Sequence, residues 1–549
     1  VSDVASLWPV AAVAIPALAV PLILASGTRP NLREAWTVLA ALGTLAVVAV
    51  LVRSSGTHTS VLGSIAGVEF ALRADAAGLL FALLASTLWI ATSVYSVGYM
   101  RGLREHDQTR YFAAFAASIA ATMGVALAAN LLTLFVFYEL LTLATYPLVA
   151  HAGTAEARAA GRKYLAYTLG GGVLAFAGIL LVGALAGTLT FAAGGIAGLA
   201  TADPTLARAA FGLLVAGFGV KAAVMPLHGW LPAAMVAPTP VSGLLHAVAV
   251  VKSGAFAVAR SVLYVFGPET AGDLGVAFAL AVAAAVTMVL AGVVGLRQDN
   301  LKRGLAYSTI SQLSYIVLGV ALLTPLAVFG ALLHVVAHAF MKITLFFVAG
   351  VVYVETGEKY VSDLGGVAAR LPATMTAFAV AAAGLVGFPL IAGFVSKYHL
   401  VLGAATSMNT VFVAAFLVAG LLKLLYFWPV VYAAFFGRRD GADAASRHAF
   451  APPHLTDGGR VTLPTADGGA LGESDERSVG DGDDPLAGED AAGVRHVSGW
   501  ERRTWRTEAS PFVLWPVLFT VGMAVALGVA PTLFPFWDLA GAAVAEVFG

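Results

Sequence analysis

Fourteen apolar stretches, each about 20 residues or a little longer, run through almost the whole chain: near 7–27, 34–53, 75–98, 111–129, 131–150, 163–187, 208–225, 240–266, 274–296, 304–323, 327–353, 372–396, 409–435 and 511–534. A bilayer's hydrocarbon core demands about 20 residues of helix, because no water is present there to bond an unpaired peptide group. The expected fold class is therefore all-α: a polytopic membrane protein of about 14 transmembrane helices. With 59% hydrophobic and 11% charged residues, soluble domains are excluded. The chain has no cysteine, so disulfides, thiolate-held iron–sulfur clusters and cysteine zinc sites fall away. Redox chemistry would have to sit on another chain, and no cofactor is expected on this one. A net charge of zero, with no basic patch interleaved with aromatics, argues against nucleic acid as a partner. VSDVASLWPV at the start lacks a basic n-region, so the first apolar stretch reads as a retained helix and not a cleaved signal.

Basic residues alternate between loops. Arg29 and Arg33 follow the first segment, Arg101, Arg104 and Arg110 the third, Arg158, Arg162 and Lys163 the fifth, and Arg297, Lys302 and Arg303 the ninth. Loops rich in Lys and Arg face the cytoplasm, so both termini are expected outside, in a multi-pass protein of the plasma membrane. The stretch 438–510 contains GESDERSVGDGDDPLAGED and has almost no apolar periodicity. It reads as a mostly disordered cytoplasmic loop, and its acidity fits the solvated surfaces of a saline habitat better than a docking role. Arg502 to Arg506, flanking Trp505, read as an interfacial anchor before the last helix.

A weak repeat divides the middle. Lys221 and Lys397 each lie beside a helix interrupted by proline and glycine (VKAAVMPLHGWLP and GLVGFPLIAGFVSK), 176 residues apart; Lys252 and Lys423, one helix later, are 171 apart. The expected organisation is residues 1–110 with helices 1–3, then two five-helix units at 111–266 and 274–437. The acidic loop 438–510 and a C-terminal region 511–549 with helix 14 complete it. Because five is odd, the second unit must be inverted, with broken helices 7 and 12 near the midplane, where transporters place ion sites.

Of the eight lysines, five (Lys221, Lys252, Lys342, Lys397, Lys423) fall inside apolar segments, whereas the 23 arginines sit mostly in loops. Arginine stays charged, but a desolvated lysine can release its proton near neutrality, so this distribution points to proton movement. Glu139, central in its apolar segment, costs at least a few kcal/mol unless paired or protonated. Lys221, five residues before Pro226, is its natural partner; their approach and separation would act as a switch, against the alternatives of a static ion pair or a polar helix contact. Lys252 would take the proton next, with His246 a lesser candidate about a third of a turn off its face. His334, His338 and Lys342, spaced four and four, line one stripe of a helix. HVVAH lacks the glutamate of a zinc-protease motif, so no metal is expected there. Lys397 would end the line, snorkelling being its alternative. Lys423 lies deeper, yet TyrPheTrpPro beside it reads as interfacial. At the repeat spacing from Glu139 the chain has only TIS and QLSYI, so the halves are chemically unequal.

FVFYELLTLATYPLVAH, VKAAVMPLHGWLPAAMVAPTPVSGLLHAVAVVKSG, HAFMKITLFFVAG and FPLIAGFVSK, over about residues 70 to 437, resemble the antiporter-like subunits shared by respiratory complex I, Mrp-type cation/proton antiporters and membrane-bound hydrogenases. The resemblance implies a polar axis through the membrane built from Glu139, Lys221, Lys252, Lys342 and Lys397. Lysine at 397, with only FWDLAGAAVAEVFG after the last helix, looks most like the Mrp D-type subunit. It also implies other membrane subunits as partners, with protons and Na+ as the transported ions and the lipid bilayer as surroundings.

Three functions follow. The first is a proton-translocating subunit of a multisubunit Na+/proton antiporter, relaying protons along Glu139, Lys221, Lys252, His334, His338, Lys342 and Lys397. The second is the pump module of an NADH:quinone-type oxidoreductase or hydrogenase, and the third the membrane half of an inorganic-carbon uptake system. A purely structural subunit would carry several uncompensated buried charges, each at a cost in assembly.

Overall fold

The computed structural model describes residues 3–65, 67–407, 410–437 and 500–549. Eleven of its helices are long and apolar enough to cross a membrane. In chain order the helices that match the expected segments begin with α1 (Trp8–Ala25), α2 (Pro30–Arg53), α3 (Ala76–Gly102), α4 (Gln108–Ala126), α5 (Leu131–Val149) and α6 (Ala155–Ala186). Then come α7 (Pro204–Lys221), α8 (Thr239–Asp273), α9 (Val276–Gly295), α10 (Leu301–Ala321) and α11 (Pro325–Thr356). The twelfth expected span is two helices, α12 (Pro372–Val386) and α13 (Ala392–Thr406), followed by α14 (Thr410–Phe436) and α15 (Pro511–Val529). Each of the fourteen expected segments thus corresponds to a helix or a broken pair.

The breaks have local causes. After Lys221 the chain leaves the helix at Ala222, and Pro226, which has no N–H to give, and Gly229 prevent its resumption before Trp230. At the second break Gly387 takes the left-handed backbone (φ 112°), which a side chain disfavours, and Pro389 follows. Helix ends inside a membrane leave carbonyls that need donors. Trp230 Nε1 supplies one to Val220 O at 2.8 Å, and Lys397 supplies Leu385 O and, at 3.0 Å, Val386 O. α8 is regular apart from two π segments, Leu244–Val248 and Ser261–Phe266.

Packing follows the same order in each half. α4 packs on α5, α5 on α6, α6 on α7, and α8 returns to α7 and α4; α9 packs on α10, α10 on α11, α11 on α12 and α13, and α14 returns to those two and α9. α8 and α11 meet at the centre. Their most apolar windows are wholly buried, whereas only 33% of the same window is buried in α6 and in α14. The outer helices therefore present apolar side chains outward, and the inner ones hold the polar residues.

Several features lie outside the sequence expectations. A three-stranded sheet joins β1 (Asp3–Ala5), β2 (Thr57–Ile65) and β3 (Val68–Ala74), with β1 parallel to β2 and β2 antiparallel to β3. The fourteenth helix ends at Val529, and a further helix, α16 (Pro535–Phe548), lies against α3 and α11. Of the segment read as a disordered loop, 438–499 lies outside the described residues, but 500–510 is packed. Trp500 Nε1 donates to Gly365 O at 2.9 Å, and Arg503 pairs with Glu355 at 3.3 Å. Glu508 is fully buried, accepting from Ala373 N at 2.8 Å, Thr374 N at 2.9 Å and Thr374 Oγ1 at 2.6 Å. It closes the N-terminus of α12 from outside that helix, and its burial raises the carboxyl above the usual carboxylate range. Not every arginine is peripheral either: Arg260 on α8 is buried against Asp75, the N-cap of α3, at 2.5 Å.

Candidate functional site

The residues expected to carry protons lie on α5, α7, α8, α11 and α13, and all but Glu139 are buried. Glu139 projects from the middle of α5 toward Gly172 of α6, where an added Cβ would sit 2.6 Å from its Oε1. Neither carboxylate oxygen has a hydrogen-bond partner. Lys221 stands at the last turn of α7, and its ammonium donates to Tyr138 O and lies 3.4 Å from the centre of the Tyr138 ring. The two are electrostatic neighbours, yet no ion pair forms within 4.0 Å. The expected partnership is therefore one of adjacency without contact, with the peptide group and ring of Tyr138 beside the amine.

α8 passes directly over the end of α7 because residue 254 is glycine: a Cβ there would lie 2.8 Å from Lys221 Cβ. Two residues earlier Lys252 leaves α8 toward α11 and meets His338, Nζ to Nδ1, at 2.8 Å. This contact joins the two halves of the protein. His246 lies on the same helix but packs its ring on Phe346, 4.7 Å between centroids, with both nitrogens unpartnered.

Along α11 the stripe predicted from the spacing exists, and its members reach different partners. The rings of His338 and His334 are 6.2 Å apart. His334 is held from two sides, by Ser396 Oγ at 2.8 Å on Nδ1 and by Gln312 Oε1 at 2.7 Å on Nε2. Because the Gln312 amide nitrogen is engaged with Leu385 O at 3.1 Å, its oxygen faces the histidine, which must present N–H at Nε2. Leu385 O also accepts from Lys397. Gln312 thus links His334 to the carbonyl that holds Lys397 at the broken helix. Lys342, a turn further along, turns away to Ser308 Oγ at 2.9 Å and Leu305 O at 3.3 Å.

Lys423 lies deep in its helix, although the TyrPheTrpPro beside it reads as interfacial. It is buried, donates to Ser311 Oγ at 2.6 Å, and lies 5.1 Å from the Tyr315 ring centre, whose other neighbour is Lys397 at 4.8 Å. The nearby aromatics Tyr426 and Phe427 face inward; Trp428, at 59% exposure, faces outward. Ser308, Ser311, Gln312 and Tyr315, all on α10, form the polar face that the sequence reading did not single out. Their i, i+3, i+4, i+7 spacing is the signal that marks one helix face.

Each amine of the row bonds a protein oxygen or nitrogen. Chemically the row consists of amines and imidazoles, groups able to take up and release protons, with gaps between them that direct contacts span only in part.

The family model described as NADH:quinone oxidoreductase/Mrp antiporter, TM, matches residues 128–423. NADH-quinone oxidoreductase subunit N of Desulforudis audaxviator is 37% identical over 367 residues, 66% of this chain and 72% of that one. A Rhizobium meliloti protein, a probable K(+)/H(+) antiporter component, is 34% identical over 378 residues, 68% of this chain but 37% of its own length. Among solved structures, a chain of the Mrp complex from a Dietzia species superposes with a TM-score of 0.78 over 99% of this chain and 97% of that chain, at 22% identity.

Proposed function

We infer the function from one premise: this chain belongs to the NADH:quinone oxidoreductase/Mrp antiporter transmembrane family. We propose that it is the proton-translocating subunit of a multisubunit monovalent cation, Na+, and proton antiporter in the plasma membrane, working with other membrane subunits. The observation that carries this reading is the Lys252–His338 contact of 2.8 Å, which couples amines of one five-helix unit to imidazoles of the other.

In this reading Glu139 and Lys221 form the entry pair. Because they are neighbours without contact, a small movement of α5 against α7 changes how strongly the carboxylate holds a proton on the amine. Lys252 receives that proton through water, since α8 closes on Lys221 only by backbone. Transfer from Lys252 Nζ to His338 Nδ1 leaves an imidazolium that gives up its Nε2 proton toward His334. Gln312 orients His334 and shares the Leu385 carbonyl with Lys397, which takes the proton from His334 through water, with Lys342 and Lys423 as flanking sites. The alternation of arginine-rich loops supports both termini outside and 438–510 in the cytoplasm.

A Lys221→Ala complex should no longer dissipate a pH gradient when sodium is added to everted vesicles, while assembling normally. Exchange at the wild-type rate would overturn the relay. The greater share of the Desulforudis protein that this chain spans, 72% against 37% for the Rhizobium K(+)/H(+) antiporter component, favours a second reading as a pump module of a redox complex. Iron–sulfur or flavin subunits copurifying with the chain, and ion movement halted by an inhibitor of electron transfer, would establish it in place of the antiporter.

A further inference from the structure

Away from the polar row, three side chains meet where the α3–α4 loop touches the end of α5. Glu105, His106 and His151 each present a ligand-type atom, all within 4.8 Å of one another. His151 is completely buried, and neither of its ring nitrogens has a partner. A buried polar ring left unbonded costs about 1–3 kcal/mol, and no protein group takes up either nitrogen of His151. The His106 ring stacks on it, with centroids 4.9 Å apart. His106 Nε2 bonds the backbone oxygen of His151 at 3.0 Å, which makes Nε2 the donor and leaves Nδ1 with a free lone pair. That is how metal-bound histidines are commonly oriented, the second nitrogen donating to a carbonyl. The free Nδ1 lies 3.8 Å from Glu105 Oε2. Arg110, the neighbouring positive charge, donates to His151 O at 3.3 Å and is offset by Asp107 at 3.1 Å.

We propose that Glu105, His106 and His151 form a site for one divalent transition-metal ion of the zinc class, clasping the α3–α4 loop to the end of α5. Two imidazole nitrogens and one carboxylate oxygen, with water as the fourth ligand, are a tetrahedral zinc set. Ligands at ~2.0–2.1 Å from such an ion stand about 3.3 Å apart, so the cluster must contract by about 1–1.5 Å. Imidazole lone pairs lie in the ring plane, so His106 must also turn out of its stack with His151; Glu105 and His106 can make these movements, their side chains being 26% and 52% exposed. His151 stays fixed. The clasp would hold the end of α5, the helix on which Glu139 sits.

The test uses the full chain in detergent, stripped with chelator and carrying no polyhistidine tag, equilibrated against Zn2+ and, separately, against Co2+ as a chromophore. The wild type should take up one equivalent that His106→Ala and Glu105→Gln each weaken at least tenfold, and its bound Co2+ should show the intense visible bands of tetrahedral coordination. Both substitutions are at accessible side chains, and equal melting temperatures of the metal-free proteins would show that they fold. Absence of saturable uptake by the wild type, or uptake unchanged in both variants because histidines elsewhere bind the ion, overturns the proposal.

Discussion

Gln312→Leu isolates the link between the histidines of α11 and the amine at the second broken helix. Leucine keeps the volume and the helix but removes an acceptor 2.7 Å from His334 Nε2 and a donor 3.1 Å from Leu385 O. The histidine N–H is then left buried without a partner, at about 1–3 kcal/mol. Leu385 O keeps its bond from Lys397 and loses less, about 0.5–1.5 kcal/mol. Stability should therefore fall by about 2–4 kcal/mol, which a large membrane assembly tolerates. Transport should fall further. If transfer between His334 and Lys397 requires this amide, its loss raises the barrier by the worth of one hydrogen bond to a charged group, about 1.5–3 kcal/mol. At 1.36 kcal/mol per tenfold, turnover slows by roughly 10- to 160-fold. The assay is sodium-dependent pH change in vesicles carrying equal amounts of assembled complex. Wild-type turnover by the assembled Gln312→Leu complex would refute the path through this residue.

Lys423→Met should melt at or above the wild type, because a buried amine is replaced by an apolar chain of similar length, while exchange falls several-fold; unchanged exchange would make Lys423 a packing residue only. Ser311→Asp places a carboxylate beside the Lys423 ammonium, now 2.6 Å from Ser311 Oγ. At about 4 Å and an effective dielectric of about 20, attraction of about 4 kcal/mol should hold the proton there and stop exchange, and a freely exchanging variant would contradict this. Glu508→Ala should cost about 1–3 kcal/mol by stripping Ala373 N–H and the two Thr374 donors of their acceptor, whereas Glu508→Gln retains an acceptor and should cost less; equal losses of melting temperature would refute the cap. Because burial raises the Glu508 carboxyl from 4.5, the folded state holds a proton that the unfolded chain has released, so this group's contribution to stability is fully present below 4.5 and is lost as pH rises through the raised value. A wild-type melting temperature whose pH slope in that window is the same in Glu508→Gln would contradict the assignment.

What can be read from the sequence follows from how local each signal is. The fourteen segments are set by runs of apolar residues, and both breaks by Pro and Gly within them, so all appear where expected. Buried lysines and histidines stand out because charge in an apolar run has no local explanation. Ser308, Ser311, Gln312 and Tyr315 do not stand out, since a serine in a helix usually bonds its own backbone, as Ser314 does to Ile310 O at 3.0 Å. Only the partner across the helix interface distinguishes the serines that hold amines. The Arg260–Asp75 pair, separated by 185 positions, leaves no local trace. What the sequence misplaces beside Lys423 is Tyr426 and Phe427, which resemble an interfacial belt but turn inward. The strands escape notice because the stretch before α1, which holds β1, and the stretch between α2 and α3, which holds β2 and β3, read as loops when helices dominate the pattern.

The inequality of the two halves can now be put in charge terms. The polar row holds five amines and one carboxylate, Glu139, and that carboxylate lies in the first half. At the equivalent register in the second half α10 offers hydroxyl and amide groups, and Lys342, Lys397 and Lys423 bond only these neutral oxygens and backbone carbonyls. A fixed anion stabilises an ammonium and resists its discharge, whereas a neutral oxygen bonds an amine without fixing a counter-charge beside it. In the proposed relay the first half would hold a charge whose strength depends on helix position, and the second would pass a proton on without storing it. Since a proton on any one of these closely spaced amines makes protonation of the next more costly, arrival at Lys252 from the first half would itself drive departure from the second. That coupling needs no fixed anion beyond Glu139, which accounts for a row with five amines and a single compensating charge.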